Sequence, residues 1–158
     1  ASLFACYSLC MTLIEHKKVR FDFEILETIE AGLSLLGTEV KSLRKKLGKL
    51  EGAHVVVRGG EAFLVGASIP AFQVKNAPAD YDAERTRKLL VSKKQMAELA
   101  HKSEAQGLTI VPISVYNKGR NIKISIGIAR GKKKQDKRQS LKERDTKREI
   151  ERTLKNSY

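Results

Sequence analysis

Three histidines, two cysteines and a few acids are the groups in this chain that could bind a metal or attack a substrate. His16, His54 and His101 stand far apart in unrelated local sequence, and none completes a metal or nucleophile motif. Cys6 and Cys10 form a C-x-x-x-C pair without a second pair of ligands beside it, which makes a poor metal site. Two cysteines cannot frame a fold with disulfides, and their scarcity fits a reducing, cytoplasmic compartment. Glu30 and Glu39 could be imagined as paired acid and base, but strand and helix ion pairs account for most such carboxylates. Glycine-rich loops of the P-loop and dinucleotide-binding kinds are absent. The expectation is a binding protein and not an enzyme, with no metal and no cofactor.

The chemistry offered in quantity is cationic. Lys and Arg number 31 against 18 Asp and Glu in 158 residues, a net charge of +13. Such a surplus suits a polyanion, either nucleic acid or an anionic membrane surface. Aromatic residues make up 6% and Trp is absent, which argues against gripping a single strand by rows of stacked bases. The charge divides unevenly. Residues 131–158 hold eleven Lys and Arg and five Asp and Glu, a net +6, while the other 130 residues carry +7. In that last segment Leu141, Ile150 and Leu154 make too narrow an apolar stripe for firm docking on a core or for lying on a membrane. Glu143/Lys147 and Glu151/Lys155 are i, i+4 pairs that favour helix once something orders the segment. Residues 131–158 therefore read as a basic tail, disordered to helical.

The elements that must position these groups are largely β. From Phe21 to Leu35 apolar residues occupy odd positions and acids or hydroxyls most even ones, the period of a strand with one buried face. Leu26 breaks the alternation and Gly32 interrupts it, which points to a bulge or bend. Thr38 is expected to cap a short helix carrying Val40, Leu43 and Leu47. Val55–Arg58 and Glu61–Val65 flank Gly59-Gly60 as a hairpin. Ser68–Asp82 reads as a surface loop, and Ser92 with Gln95 as the capping box of a helix ending at Gly107. Thr109–Tyr116 and Asn121–Ala129 make a second pair of strands; in the latter Ile122, Ile124, Ile126 and Ile128 point one way, leaving Lys123 on the open face. The apolar run at residues 1–14 lacks the preceding positive charge of a signal peptide and is too short to span a bilayer. It is expected to be an extension outside the fold, with Met11 as the biological start. The body is then 15–130.

Specific strings narrow the class. Glu30-Ala31-Gly32-Leu33, Gly37-Thr38-Glu39-Val40-Lys41-Ser42-Leu43-Arg44, Gly60-Glu61-Ala62-Phe63-Leu64, Arg85-Thr86-Arg87-Lys88-Leu89-Leu90 and Ile126 through Lys133 with Asp136-Lys137-Arg138 occur in that order. Together they resemble the small protein B (SsrA-binding protein) family of bacterial trans-translation, from about residue 16 to the end. The resemblance implies an oligonucleotide-binding-type antiparallel β-barrel of about six strands with short flanking helices. It also implies a partner, the tRNA-like domain of transfer-messenger RNA, delivered to stalled ribosomes. By matching motifs, Glu30, Leu90 and Lys123 fall at positions tied to RNA binding. Gly131 falls at the junction of body and tail, and Asp136, Lys137 and Arg138 in a tail motif that works in the small-subunit decoding region and the vacant messenger channel. Lys132 and Lys133 belong with that ribosome-engaging tail. The implied protein works as a monomer without a membrane.

Residue chemistry weighs these roles separately. Lys123 suits a phosphate, as do Lys17, Lys18 and Arg20 ahead of the first long strand. Glu30 cannot attract phosphate and must accept from a base or 2′-hydroxyl, or orient a neighbouring cation. Leu90, if exposed, can press on an unstacked base. Arg85, Arg87 and Lys88 read equally as RNA contacts and as a solvated helix start. The chain departs from the family pattern at His16, where Asn is common, at Asp82-Ala83, where Asp-Pro is common, and at Gln135, where His is usual. The competing reading is a ribosomal or ribosome-assembly protein that binds structured rRNA.

Overall fold

The structure, a computed structural model, describes residues 10–156. Its strands are β1 (Cys10–Glu15), β2 (Phe23–Leu33), β3 (His54–Arg58), β4 (Glu61–Val65), β5 (Arg87–Leu90), β6 (Leu108–Lys118) and β7 (Asn121–Gly131). The helices are α1 (Val19–Asp22), α2 (Gly37–Arg44), α3 (Lys93–Glu104) and α4 (Lys134–Asn156). All strands join one antiparallel sheet in the order β1-β6-β7-β2-β5-β4-β3. The sheet curls until β3 lies against β6, but among the described residues no ladder closes it. The expected barrel of about six strands is thus a curled, open sheet of seven.

Two strands go beyond those read along the chain, β5 and β1, and β1 corrects the reading of residues 1–14 as an extension outside the fold. Residues 10–12, 14 and 15 pair with β6 around a bulge at Leu13, and Leu13 and Ile14 are buried. Two apolar side chains with a core to enter, beside a β6 edge that needs a partner, are better packed than exposed. Residues 1–9, with Cys6, lie outside the described residues.

The long pair β2–β7 forms the spine. Ile29 faces Ile126 and Ala31 faces Ile124 across the ladder, and all four are buried with Leu64, Leu89 and Leu99. The break at Leu26 is a bulge between Ile25 and Glu27. A bulge reverses which face the odd positions occupy. Ile25 therefore pairs with Ala129 on the other face, where Val19, Val111 and Ile113 form a second small core. The strand expected to bury one face buries a different face at each end. Gly127 lies against this second core, where a Cβ would come within 2.9 Å of Ile113 Cδ1 and 3.2 Å of Ile25 Cγ2. Phe21 and Asp22, expected in the strand, instead turn with α1, their amides donating to the Lys18 carbonyl at 3.0 Å. That turn lets Val19 enter the second core.

The hairpin at Gly59-Gly60 and the Ser92–Gln95 capping box form as the local sequence indicates. Thr38 does not cap α2. Leu36 precedes the helix, its amide donates to Glu39 Oε2 at 2.8 Å, and the Thr38 hydroxyl is buried with no hydrogen-bond partner among the described residues. Leu47 lies beyond the helix end. The Ser68–Asp82 loop is anchored from within, because Ile69 is buried and its carbonyl accepts from the Tyr81 hydroxyl at 2.6 Å.

Candidate nucleic-acid interface

Register brings four polar side chains together on the outer face of the spine. Lys123 stands opposite Tyr116 of β6 and Gly32 of β2, Glu30 lies two residues along β2 from Gly32, and Lys118 closes the hairpin with Asn121. Lys123 Nζ donates to Glu30 Oε1 at 2.8 Å, Lys118 Nζ to both carboxylate oxygens at 3.1 and 3.2 Å, and the Tyr116 hydroxyl to Oε2. The Lys123 hydrogen bond, followed by that of Tyr116, holds the Glu30 carboxyl down at about 2. Glu30 is therefore ionised at neutral pH. Two lysines against one carboxylate leave a net positive cluster.

Beside it stands Leu90, 55% exposed. Leu89 on the same strand points into the core, so alternation alone sends Leu90 outward. Gly32 lies directly across the ladder, and a Cβ there would sit 3.0 Å from Leu90 Cβ. Leu90, Gly32, Leu35, Arg120, Ile122 and Lys123 share the lining of a shallow cavity of about 410 Å³. An apolar side chain, a cation and a concavity adjoin one another, which suits an unstacked base next to its phosphate.

Arg85 and Arg87 are elsewhere. Arg85 lies in the loop before strand β5 and Arg87 opens that strand, so the segment is not a helix start, and Arg87 points inward at the position facing Leu64. Its side chain is fully buried. All five of its guanidinium donors are used, on Glu39 Oε1 at 2.8 and 3.0 Å and on the Ala67, Ala83 and Arg85 carbonyls. Arg85 forks onto both Glu39 oxygens at 2.8 and 2.6 Å. Burial pushes the Glu39 carboxyl up, but the Arg85 and Leu36 hydrogen bonds and the Arg87 charge outweigh it and hold it at about 2. The sequence left Arg87 equally an RNA contact or part of a solvated helix start; its enclosure and full set of partners make it a core residue. Lys88 alone of the three faces outward in an exposed pair with Glu61.

Lys17, Lys18 and Arg20 are exposed around α1, at the start of β2. Glu30 lies seven residues further on, roughly 20 Å at the rise of a strand. They therefore join the tail and not the Glu30–Lys123 cluster. The Lys132 amide donates to the Asp22 carbonyl at 2.9 Å and its Nζ to the Arg20 carbonyl at 3.0 Å. Lys137 pairs with Asp22 at 2.8 Å and lies 5.8 Å from the Phe21 ring centroid. Asp136 accepts from the Lys133 amide at 3.2 Å, and Arg138 is exposed. The tail is helical from Lys134, three residues past the Gly131 junction. The Gln135 side chain lies outside the described residues. His16 is buried, with Nδ1 3.3 Å from the Pro112 carbonyl, a packing role. Among the described residues no cluster of three or more His, Cys, Asp or Glu could hold a metal, and no helix is long and apolar enough to cross a membrane.

Comparison with known proteins decides the family. The profile of the SmpB protein family matches residues 13–156. The chain belongs to the SmpB family. The SsrA-binding protein of Thermosynechococcus vestitus is 47% identical over 143 residues, covering 90% of this chain and 94% of that protein. That of a Chelativorans species is 46% identical over 145 residues, covering 91% and 93%. A solved structure described as "tmRNA-SmpB: a journey to the center of the bacterial ribosome" aligns with a TM-score of 0.65 at 42% identity, over 77% of this chain and 85% of that one. Within this SmpB-family fold, Tyr116, Lys118 and Arg120 belong to the candidate site and were passed over by the sequence reading. The signal was present: a two-residue Gly119-Arg120 turn, with Gly119 at φ 63°, fixes the hairpin register and places Tyr116 beside Lys123.

Proposed function

We propose that this SmpB-family chain binds the tRNA-like domain of transfer-messenger RNA and carries it to stalled ribosomes in the bacterial cytoplasm. It acts as a stoichiometric binder and not as a catalyst. The observation that carries the reading at residue level is the outer-face cluster. A cationic pair on a rigid β-hairpin adjoins an exposed leucine and a shallow cavity, on a chain akin to one described with tmRNA on the ribosome. Lys123 and Leu90 make the body's RNA contact in this reading, and the spine holds both in place. Lys132, Lys133, Asp136, Lys137 and Arg138 belong to a tail that serves the ribosome's decoding region and messenger channel. Lys17, Lys18 and Arg20 flank the root of that tail and meet phosphate there. Arg85 and Arg87 are left out of the RNA contact because both hold Glu39.

The test is binding of the tRNA-like domain against an unrelated hairpin RNA of equal length, across a range of salt. The expected result is a clear preference for the former. Log affinity should fall by about 0.7–0.9 per neutralised phosphate for each log unit of salt. Equal affinity for the two RNAs refutes the assignment. Truncation after Gly131 should spare this binding while abolishing tagging on stalled ribosomes; joint loss of both refutes the division between body and tail.

A further inference from the structure

An acid in the middle of a phosphate-binding face needs a physical reason, because it repels the ligand. Glu30 accepts four hydrogen bonds from within the protein: one each from Tyr116 and Lys123, and two from Lys118. A carboxylate offers about four lone-pair sites. Its acceptor capacity is thus committed to neighbouring side chains and not held open for a base edge. The two ammonium groups bond to the same Oε1, at 3.1 and 2.8 Å, so they stand less than about 6 Å apart. Two cations that close repel one another, and long lysine side chains would splay apart into water. The carboxylate between them cancels that repulsion and holds both in register. Tyr116, anchored on β6 opposite Lys123, fixes the carboxylate from the other side. Lys118 is the most exposed of the three charged groups, its side chain 51% accessible against 37% for Glu30 and 32% for Lys123.

We infer that Lys118 is a second phosphate-contacting residue beside Lys123, and that Glu30 and Tyr116 are positioning residues that hold the two ammonium groups side by side for neighbouring phosphates of one RNA backbone. This rests on the RNA-binding face proposed above and assigns Tyr116 and Lys118 their parts in it. An ammonium has three donors, and Lys123 commits one of them to Glu30, so it can hold the carboxylate and a phosphate together. Charge-assisted bonds to phosphate then add to a scaffold already in place, and little side-chain freedom remains to be lost on binding.

The experiment measures affinity for the tRNA-like domain of transfer-messenger RNA as a function of salt, with thermal melting of each variant alongside. Lys118→Ala should weaken binding and lower the salt slope by about 0.7–0.9, the amount that one phosphate left unneutralised removes. Lys118→Arg should restore the slope. A packing defect would lower the melting temperature without changing how many counterions are released. Tyr116→Phe removes one hydroxyl donor and no charge, so affinity should fall roughly three- to tenfold at an unchanged slope. If Lys123→Ala lowers the slope while Lys118→Ala changes neither slope nor affinity, the second phosphate-binding role is refuted and the RNA-binding face stands. If neither lysine variant moves the slope, the face itself is wrong. A Tyr116→Phe variant that binds like the parent refutes the positioning role.

Discussion

Glu39→Gln puts the interior ion-pair cluster to the sharpest test. Gln keeps the volume and one acceptor oxygen but removes the charge, leaving the fully enclosed Arg87 guanidinium without a counter-ion. The carboxyl is held at about 2 against an ordinary 4.5. At ~1.4 kcal/mol for each pH unit, that difference is worth about 3 kcal/mol of folding stability at neutral pH. Breaking a buried pair from one side typically costs about 3–5 kcal/mol, in agreement. The sign follows from the depressed pKa. The contribution is fully present above the unfolded value near 4.5 and is lost as pH falls through the folded value near 2. Urea unfolding is the assay, since guanidinium salt would itself screen the charges. The variant should lie about 3 kcal/mol below the parent at pH 7, and the gap should narrow steadily from pH 4.5 towards pH 2. A gap under about 1 kcal/mol at pH 7 refutes the reasoning, as does one that stays constant through that acid range.

Three further outcomes are expected. Arg87→Ala should unfold the protein or cost several kcal/mol, on the order of a broken buried pair, whereas Lys88→Ala should leave stability within about 0.5 kcal/mol by urea titration. Gly127→Ala should cost about 1–3 kcal/mol through overpacking against Ile113 and Ile25, and pairing it with Ile113→Val should recover part of that loss in melting temperature. Leu13→Ala should cost about 2–4 kcal/mol in thermal or urea unfolding, because β1 is part of the folded body; a neutral result would return residues 10–14 to the role of an extension.

Much of the fold was legible along the chain. Period-two runs located β2 and β7, Gly59-Gly60 marked the first hairpin, Ser92 with Gln95 opened α3, and Leu26 marked the bulge. These signals are local, since each depends on residues within a few positions of one another. Lys123 was also legible, because its isoleucine neighbours left it a single face. The basic strings were the least reliable guide. Arg85-Thr86-Arg87-Lys88 carries three cations of identical formal charge, yet one faces water, one is half-buried on Glu39 and one is sealed in the core. Nothing within the string distinguishes them, because the deciding group, Glu39, lies 46 to 48 residues away.

By itself, the sequence determined the chemistry available: a polycationic body, a second basic segment beyond Gly131, no assembled catalytic motif, and strings that place the chain in its family. Tertiary structure decided which of those charges face outward. Pairing β7 with β2 on one side and β6 on the other gathers Glu30, Tyr116, Lys118 and Lys123 from three strands into one cluster, and curling the sheet draws Arg87 inside. The physical reason is that period and propensity set a strand's two faces, while only its neighbours set which face meets water. Basic residues alone suited this chain to a polyanion; the register of three strands placed two lysines on one carboxylate.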